Sequence, residues 1–415
     1  MPAGVGDRRG TLRITCIAPY VPYPNIPHAG GQFLHAHLTA LGRSSDVTLL
    51  APGTPENLAV APGMPAPISL YCTDLGSPLR QRVHRLLTYP ADVRAGLTPG
   101  AGMLNAARRD AQFWGAVESS DVVEVQWSQW LPLVDDIRRR APHAAVVAVE
   151  HDVLTDSLRR RATAARSWRI RATSRMRLRR APAAERNLLN RCDAVLVFGA
   201  RDKEFLRELG VDSPVTVIPP HIDWPAVASG PAEDRVVLFV GAMWRPENAE
   251  AMIAFIENCW PAVRTASPDA RLRIVGDQPP RHLRDLSDPS VEVTGYVAHL
   301  DEEYRRARVV IAPGRTSAGL NFKVVQAMAY ALPVVATPES ADGIADVIGD
   351  DSLLAVTAND DEMARAIVAA LEDRSLAATV GARGEQLLRN AWGNHRREDV
   401  LDLYAGLVHG RRGDG

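Results

Sequence analysis

The chain has 415 residues, of which 46% are hydrophobic and 23% charged, and 48 basic against 49 acidic groups give a formal net charge of −1. This composition excludes a disordered or fibrous protein and supplies enough apolar residues for two globular domains. A net charge so close to zero also excludes whole-surface attraction to nucleic acid, so any contact with a polyanion has to be local.

The cysteines and the apolar runs indicate a cytoplasmic protein. There are four cysteines, which form no CxxC pair: Cys16, Cys72, Cys192 and Cys259. Few and widely spaced, they are expected to be reduced core residues rather than disulfides of a secreted scaffold. No apolar run approaches the roughly 18 residues of a membrane span, and the first residues lack the apolar core of a signal peptide.

Short β-branched runs, separated by amphipathic stretches of helical length, predict βα units on buried parallel sheets. The first series of predicted strands comprises residues 12–19, 46–52, 144–151, 192–199 and 215–220. The second series comprises residues 236–241, 271–276, 291–297, 308–314 and 332–338. We therefore expect an α/β protein with two doubly wound sheets.

A proline- and glycine-rich stretch separates the two series. Pro225, Gly230 and Pro231 interrupt both the strand and the helix periodicity and predict a linker. We expect one domain over residues 1–225 and another over residues 226–393. The last segment, 394–415, either closes the second domain or crosses back to the first.

Gly30 and Gly31 follow the first predicted strand and precede a helix with an apolar face at Leu34, Leu38 and Leu41. Glycines at this place let backbone N–H groups approach an anion at the positive end of the helix. A tight turn between strand and helix explains the same pair equally well, because glycine is the usual residue of such turns.

The segment 315–338 predicts a helix that begins at Phe322 with Asn321 as its N-cap. Lys323, one of only two lysines in the chain, then falls in the first turn. A cation there opposes the helix dipole by roughly 0.3–1 kcal/mol unless an anion lies beside it. Gln326 shares its face. The pattern predicts a site for a phosphate and a polyhydroxyl group, with a solvated surface lysine as the alternative.

Arg245 and His151 are two further candidates. Arg245 lies just outside a predicted helix N-terminus, where it could form a forked phosphate contact. His151 follows a predicted strand at the edge where open α/β sheets bind ligands, and it could orient a sugar hydroxyl or transfer a proton. A loop arginine and a structural histidine are the alternatives. His28, His35 and His37 lie nearby in the sequence, but residues two apart on a helix point to different faces, so no metal pair is predicted.

Residues 158–180 contain ten arginines and no acidic residue. The apolar residues interleaved with them are Leu158, Trp168, Ile170, Met176 and Leu178. This composition allows an amphipathic basic helix that lies on anionic lipid at the inner membrane face or receives an acidic substrate. A solvated, partly flexible excursion is the alternative.

In this order, the segments resemble glycosyltransferase family 4 of the GT-B fold over nearly the whole chain. The matching pieces are Gly30-Gly31, VIPPHID at 217–223, FVGAMWRPENAEAM at 239–252, RLRIVG at 271–276, TGYV at 294–297 and AGLNFKVVQAMAYALPVVAT at 318–337. The resemblance implies two Rossmann-like domains that face each other across a cleft. It also implies retaining transfer of a sugar from a nucleotide-diphosphate sugar, a co-substrate, to an acceptor, with no metal required.

The resemblance further implies roles for individual residues. Gly31 would approach the diphosphate, which Arg245 and Lys323 would neutralise. The backbone near Val297 would meet the base, and Gln326 would face the ribose. The stretch Ala318, Gly319, Leu320 and Asn321 would offer donors to the transferred sugar, and His151 would look toward the sugar and the acceptor.

The chain departs from the family pattern at several of these places. Ala318 and Gln326 stand where two glutamates are common, and Ala242 and Asn248 lie near the usual arginine and lysine. Gln326 accepts hydrogen bonds less strongly than a carboxylate, so the donor affinity or identity is expected to be unusual. A non-catalytic sugar-nucleotide-binding or partner subunit is the first alternative. A sugar-nucleotide epimerase is the second.

Overall fold

The described part of the chain, in this computed structural model, has several gaps. It comprises residues 11–24, 26, 28–64, 68–76, 101–164, 167–218, 222, 224–225, 227–315, 320–348, 353–392 and 397–413.

The first domain is built on a seven-stranded parallel sheet with the order β3-β2-β1-β4-β5-β6-β7. The strands are β1 Arg13–Ile17, β2 Asp46–Pro52, β3 Ser69–Thr73, β4 Val122–Gln126, β5 Ala145–Val149, β6 Ala194–Val197 and β7 Val215–Val217. The helices around it are α1 Ala29–Leu41, α2 Pro55–Val60, α3 Ala101–Arg109, α4 Ala111–Glu118, α5 Val134–Arg140, α6 Leu154–Ala164, α7 Trp168–Leu178, α8 Ala181–Leu189 and α9 Ala200–Glu208. Short 3₁₀ helices lie at Ala61–Gly63 and Ser128–Leu133.

The second domain has a six-stranded parallel sheet with the order β10-β9-β8-β11-β12-β13. Its strands are β8 Val236–Val240, β9 Arg271–Val275, β10 Val291–Gly295, β11 Val309–Ala312, β12 Val334–Ala336 and β13 Ala355–Val356. The remaining helices are α10 Pro246–Asn258, α11 Trp260–Ala266, α12 Arg281–Arg284, α13 Leu300–Arg306, α14 Phe322–Ala329, α15 Pro338–Ile348, α16 Asp360–Glu372, α17 Arg374–Trp392 and α18 Arg397–Gly413. Two doubly wound sheets confirm the predicted fold class.

The C-terminal helix α18 packs on the first domain, not the second. Tyr404 and Val408 lie in the same apolar cluster as Ile14 of β1 and Leu34 of α1. The Arg411 guanidinium adds a two-pronged contact to the Asp193 carboxylate, at 3.1 and 2.6 Å. Helix α18 is therefore part of the first domain.

The strand order reverses at β1 in the first sheet, with β2 and β3 on one side of it and β4 to β7 on the other. It reverses at β8 in the second sheet, with β9 and β10 on one side and β11 to β13 on the other. Such switch points leave a crevice at the carboxyl ends of the strands, where α/β proteins bind ligands. The N-terminus of α1 and the end of β4 lie at the first crevice. The N-termini of α10 and α14 lie at the second.

Candidate functional site

Lys323 lies in the first turn of α14, half-buried between the two helices of the second crevice. Its Nζ donates to Asn248 Oδ1 at 3.3 Å and lies 4.9 Å from the centre of the Phe239 ring. Asn248 is itself held by its Nδ2, which donates to the Ala242 carbonyl at 2.9 Å. Burial, with a smaller contribution from Arg245, lowers the pKa of Lys323 to about 8. The ammonium is thus positioned by a neutral amide, with no carboxylate paired to it among the described residues.

The helix that carries Lys323 begins at Phe322, as predicted, but its N-cap side chain does not cap it. Asn321 has an extended backbone and makes no side-chain cap bond. It is only 6% exposed, and its Nδ2 has no acceptor among the described residues. Gln326 follows three residues after Lys323 and is half-buried. Two of the predicted site residues, Ala318 and Gly319, lie outside the described residues.

The charge of Arg245 acts on titratable groups of both domains. It is the residue before α10, which begins at Pro246. Burial first, then the charge of Arg245, lowers the pKa of His28 in the first domain to about 4. The same charge partly opposes the burial that raises the pKa of Asp152 to about 6. A guanidinium that acts on both domains is placed to meet an anion between them.

Gly30 and Gly31 lie in the first turn of α1 and differ in their contacts. The Gly31 N–H donates to Nδ1 of His28 at 3.0 Å, so His28 caps the helix and occupies this donor. A Cβ at Gly30 would lie 2.6 Å from Cζ2 of Trp127 and 3.3 Å from Nδ1 of His151. Only glycine at position 30 lets these two rings reach the end of the helix.

His151 is 8% exposed at the carboxyl end of β5. Its ring stacks on Trp127, with centres 3.5 Å apart and planes 4° from parallel, and touches the edges of Phe33 and Phe198. Its Nε2 lies 2.8 Å from Gln126 Oε1. Burial, followed by the nearby imidazoles, holds the pKa of His151 well below its usual range. The ring is therefore neutral near pH 7.

Strand β4 supplies residues that the sequence analysis missed. Glu124 and Gln126 are fully buried polar residues in the middle of the first sheet. Trp127 follows them with a φ of 65°, in the region that favours glycine. The signal was the run VVEVQ, in which two polar residues alternate with valines at a spacing that suits a strand.

Ion pairs and apolar contacts join the two domains beside the crevice. Asp342 of α15 pairs with Arg160 at 3.0 Å and Arg201 at 2.9 Å. Arg161 pairs with Glu247 at 3.0 Å. Leu320 packs against apolar clusters of both domains, whereas half-buried Val297 packs only against that of the second.

Two family models match the chain and together cover most of it. The model described as Glycosyltransferase Family 4 matches residues 31–224, and the model described as Glycosyl transferases group 1 matches residues 234–373. The boundary between them falls between β7 and β8, where one sheet ends and the other begins.

Curated relatives match parts of the chain. An exopolysaccharide phosphotransferase of Streptomyces coelicolor is 27% identical over 204 residues, 47% of this chain and 21% of that protein. A phosphatidyl-myo-inositol mannosyltransferase of Mycolicibacterium smegmatis is 28% identical over 176 residues, 41% of this chain and 45% of that protein. The matched region therefore spans less than half the length of either relative.

Solved structures match nearly the whole chain. A sucrose-phosphate synthase from Thermosynechococcus elongatus has a TM-score of 0.70 at 18% identity, with 96% of this chain and 99% of that chain covered. Anabaena HepE in complex with UDP and glucose has a TM-score of 0.67 at 13% identity, with 96% and 100% covered. At such identities the likeness concerns the fold.

Proposed function

This chain belongs to glycosyltransferase family 4, and on that premise we propose that it transfers a sugar from a nucleotide-diphosphate sugar to an acceptor hydroxyl with retention of configuration. The observation that carries the proposal is the position of Lys323. It is half-buried at a helix N-terminus in the crevice, and its partner among the described residues is the neutral Asn248 amide. A cation in that position is stabilised by an anionic ligand.

In the proposed reaction, the bond between the sugar C1 and the diphosphate oxygen breaks and a bond from C1 to the acceptor oxygen forms. The proton of the acceptor hydroxyl passes to the leaving diphosphate. Lys323, Arg245 and the N-terminus of α14 stabilise the negative charge that develops on that leaving group. The proposal uses no metal ion.

A turnover assay with UDP-, GDP-, ADP- and dTDP-sugars tests this function against its alternatives. Release of a nucleoside diphosphate, with the sugar found on an acceptor, supports the transferase. An isomerised sugar nucleotide would identify an epimerase. Binding of a sugar nucleotide without turnover of any of them would identify a non-catalytic subunit.

Gln326→Glu is expected to tighten donor binding if the side chain faces the ribose. A carboxylate accepts a hydroxyl hydrogen bond more strongly than an amide, by about 1 kcal/mol or roughly fivefold in Kd. Titration calorimetry with the donor and with the free nucleoside diphosphate measures the change. An unchanged affinity and base preference would remove Gln326 from the nucleotide site.

We propose that the first domain docks on anionic lipid through one face of α7. Trp168 and Met176 are 67% and 43% exposed on this helix, and Ala172 between them is exposed too. Arg169, Arg175 and Arg179 are exposed around them. Within the described residues, no helix is long and apolar enough to cross a bilayer. Exposed aromatic and cationic groups on one face fit the surface of an anionic membrane.

The structure narrows the set of arginines available for this contact. Arg160 and Arg161 of α6 are engaged in the ion pairs with Asp342 and Glu247 across the domains. Helix α6, which carries these two arginines, packs along α7. Docking through α7 would therefore bring the helix that pairs with the second domain close to the lipid surface.

Changing Arg169, Arg175 and Arg179 to Gln is expected to abolish binding to equimolar phosphatidylglycerol and phosphatidylcholine vesicles at low salt. Each arginine contributes on the order of 1 kcal/mol near an anionic surface, and salt screens this over about 8–10 Å. Co-sedimentation measures the binding. The matched control changes three exposed arginines on other helices, Arg207, Arg281 and Arg306. Equal sedimentation of the two variants would contradict docking through α7.

A further inference from the structure

A buried hydrogen-bond network joins His151 to the C-terminal helix. The carboxylate of Glu124 is 0% exposed. It accepts hydrogen bonds from His37 Nε2 at 3.0 and 3.1 Å, from Gln126 Nε2 at 3.0 Å and from the Tyr404 hydroxyl. Glu124, Gln126, His37 and Tyr404 are called the Glu124 network below. Its members come from α1, β4 and α18.

The ionisation state of Glu124 decides how the Gln126 amide is oriented and which nitrogen of His151 carries the proton. His37 and the hydrogen-bond donors hold the pKa of Glu124 below its usual range despite burial. An ionised carboxylate only accepts hydrogen bonds, so the Gln126 amide must turn its NH₂ toward Glu124. Its Oε1 then faces Nε2 of His151 at 2.8 Å. Because a carbonyl oxygen cannot donate, the proton of the neutral imidazole lies on Nε2.

The other ring nitrogen of His151 faces the N-terminus of α1. A Cβ at Gly30 would lie 3.3 Å from Nδ1, and the Trp127 ring stacked on His151 fixes the plane of the imidazole. Nδ1 therefore lies beside the glycine turn at the first crevice. An unprotonated imidazole nitrogen accepts a hydrogen bond, for which a hydroxyl group is a suitable donor.

We infer that the Glu124 network holds His151 as the neutral tautomer protonated at Nε2, so that Nδ1 accepts a hydrogen bond from a sugar hydroxyl. Glu124 is in this view a positioning residue that acts through Gln126. The identity of the ligand rests on the proposed function, whereas the tautomer does not. Tyr404 makes the C-terminal helix part of the support for this site.

Long-range ¹H–¹⁵N spectra of the full chain labelled with ¹⁵N-histidine measure the tautomer directly. The His151 signal is identified by its loss in His151→Gln. We expect the pattern of an imidazole protonated at Nε2, unchanged between pH 6 and pH 8. A wild-type signal from an imidazole protonated at Nδ1, or from an imidazolium, overturns the inference. The spectrum requires no sugar nucleotide, so a protein without turnover would disprove only the proposed function.

Glu124→Gln tests the source of the tautomer. An amide at position 124 can donate as well as accept, so Gln126 is free to turn and His151 is expected to populate both tautomers. The kcat is expected to fall about 10-fold with a donor KM within about twofold of the wild type, as for other losses of an outer hydrogen-bond partner. Tyr404→Phe keeps the carboxylate and is expected to keep the Nε2 tautomer. A folded Glu124→Gln protein with an unchanged tautomer overturns the role of Glu124.

Discussion

Lys323→Ala is expected to lower kcat/KM for the sugar nucleotide about 10- to 150-fold, the range for losing a buried charge-assisted hydrogen bond of about 1.5–3 kcal/mol. The reason is that Lys323 is half-buried beside the neutral Asn248 amide, and that no carboxylate of the described residues pairs with it. Steady-state kinetics and calorimetry with the nucleoside diphosphate measure the loss. Lys203→Ala is the matched control, because the only other lysine of the chain is exposed on α9.

The same lysine predicts a pH dependence of donor binding. With a pKa of about 8 in the free protein, Lys323 is charged below pH 8 and loses its proton above it. The affinity for a nucleoside diphosphate is therefore expected to fall as the pH rises from 7 to 9. Lys323→Ala is expected to remove this dependence, and Lys203→Ala is expected to retain it. A wild-type affinity that is flat over this range would place Lys323 outside the diphosphate site.

Two buried glutamates of the first domain are expected to change stability in opposite directions when each becomes glutamine. Glu150 is 1% exposed, and neither carboxyl oxygen has a partner among the described residues. Burial, followed by repulsion from Glu185 and Asp152, raises the pKa of Glu150 well above its usual range. The folded protein therefore holds a proton that the unfolded chain releases.

The proton bound by folded Glu150 decides whether the free energy of unfolding rises or falls with pH. Above the unfolded-state pKa of about 4.3, the free energy of unfolding falls with rising pH, by about 1.4 kcal/mol per pH unit for one proton. Glu150→Gln carries no such proton. Its melting temperature is expected to exceed that of the wild type at pH 8, with a difference that shrinks toward pH 5.

Glu124→Gln is expected to behave in the opposite way. The pKa of Glu124 is lowered in the folded state, so its stabilisation is present above the unfolded-state pKa and is lost as the pH falls. Loss of the carboxylate is expected to cost about 1.5–3 kcal/mol at pH 7, because its hydrogen bonds involve a charged group. The deficit is expected to diminish in acid.

Thermal unfolding at pH 5, 6.5 and 8 tests Glu150→Gln, and unfolding at pH 3, 4 and 7 tests Glu124→Gln, each beside Glu257→Gln, which changes an exposed glutamate on α10. The control is expected to show no pH-dependent difference from the wild type. If Glu150→Gln were no more stable than the wild type at pH 8, a protonated Glu150 would be excluded. Asp152 and Asp202, whose pKa values burial raises to about 6 and about 7, titrate in all the proteins compared.

The sequence predicted the elements that depend on local pattern. All ten predicted strands are present, and α10 and α14 begin at Pro246 and Phe322 as expected. Periodicity identifies such elements because alternation and helix-start residues act over a few neighbouring positions. Strands β3, β4 and β13 were missed. In β4, Glu124 and Gln126 interrupt the apolar run, and β13 has only two residues.

Local amino-acid pattern was therefore sufficient for the α/β class with two parallel sheets, and for the two helix starts that bring Arg245 and Lys323 to the crevice. The tertiary structure alone decided how His151 is held and what balances Glu124. The partners of Glu124 include His37, 87 positions away, and Tyr404, 280 positions away. A buried carboxylate is stable only when hydrogen-bond donors surround it. A local sequence pattern does not predict donors that the fold brings from distant parts of the chain.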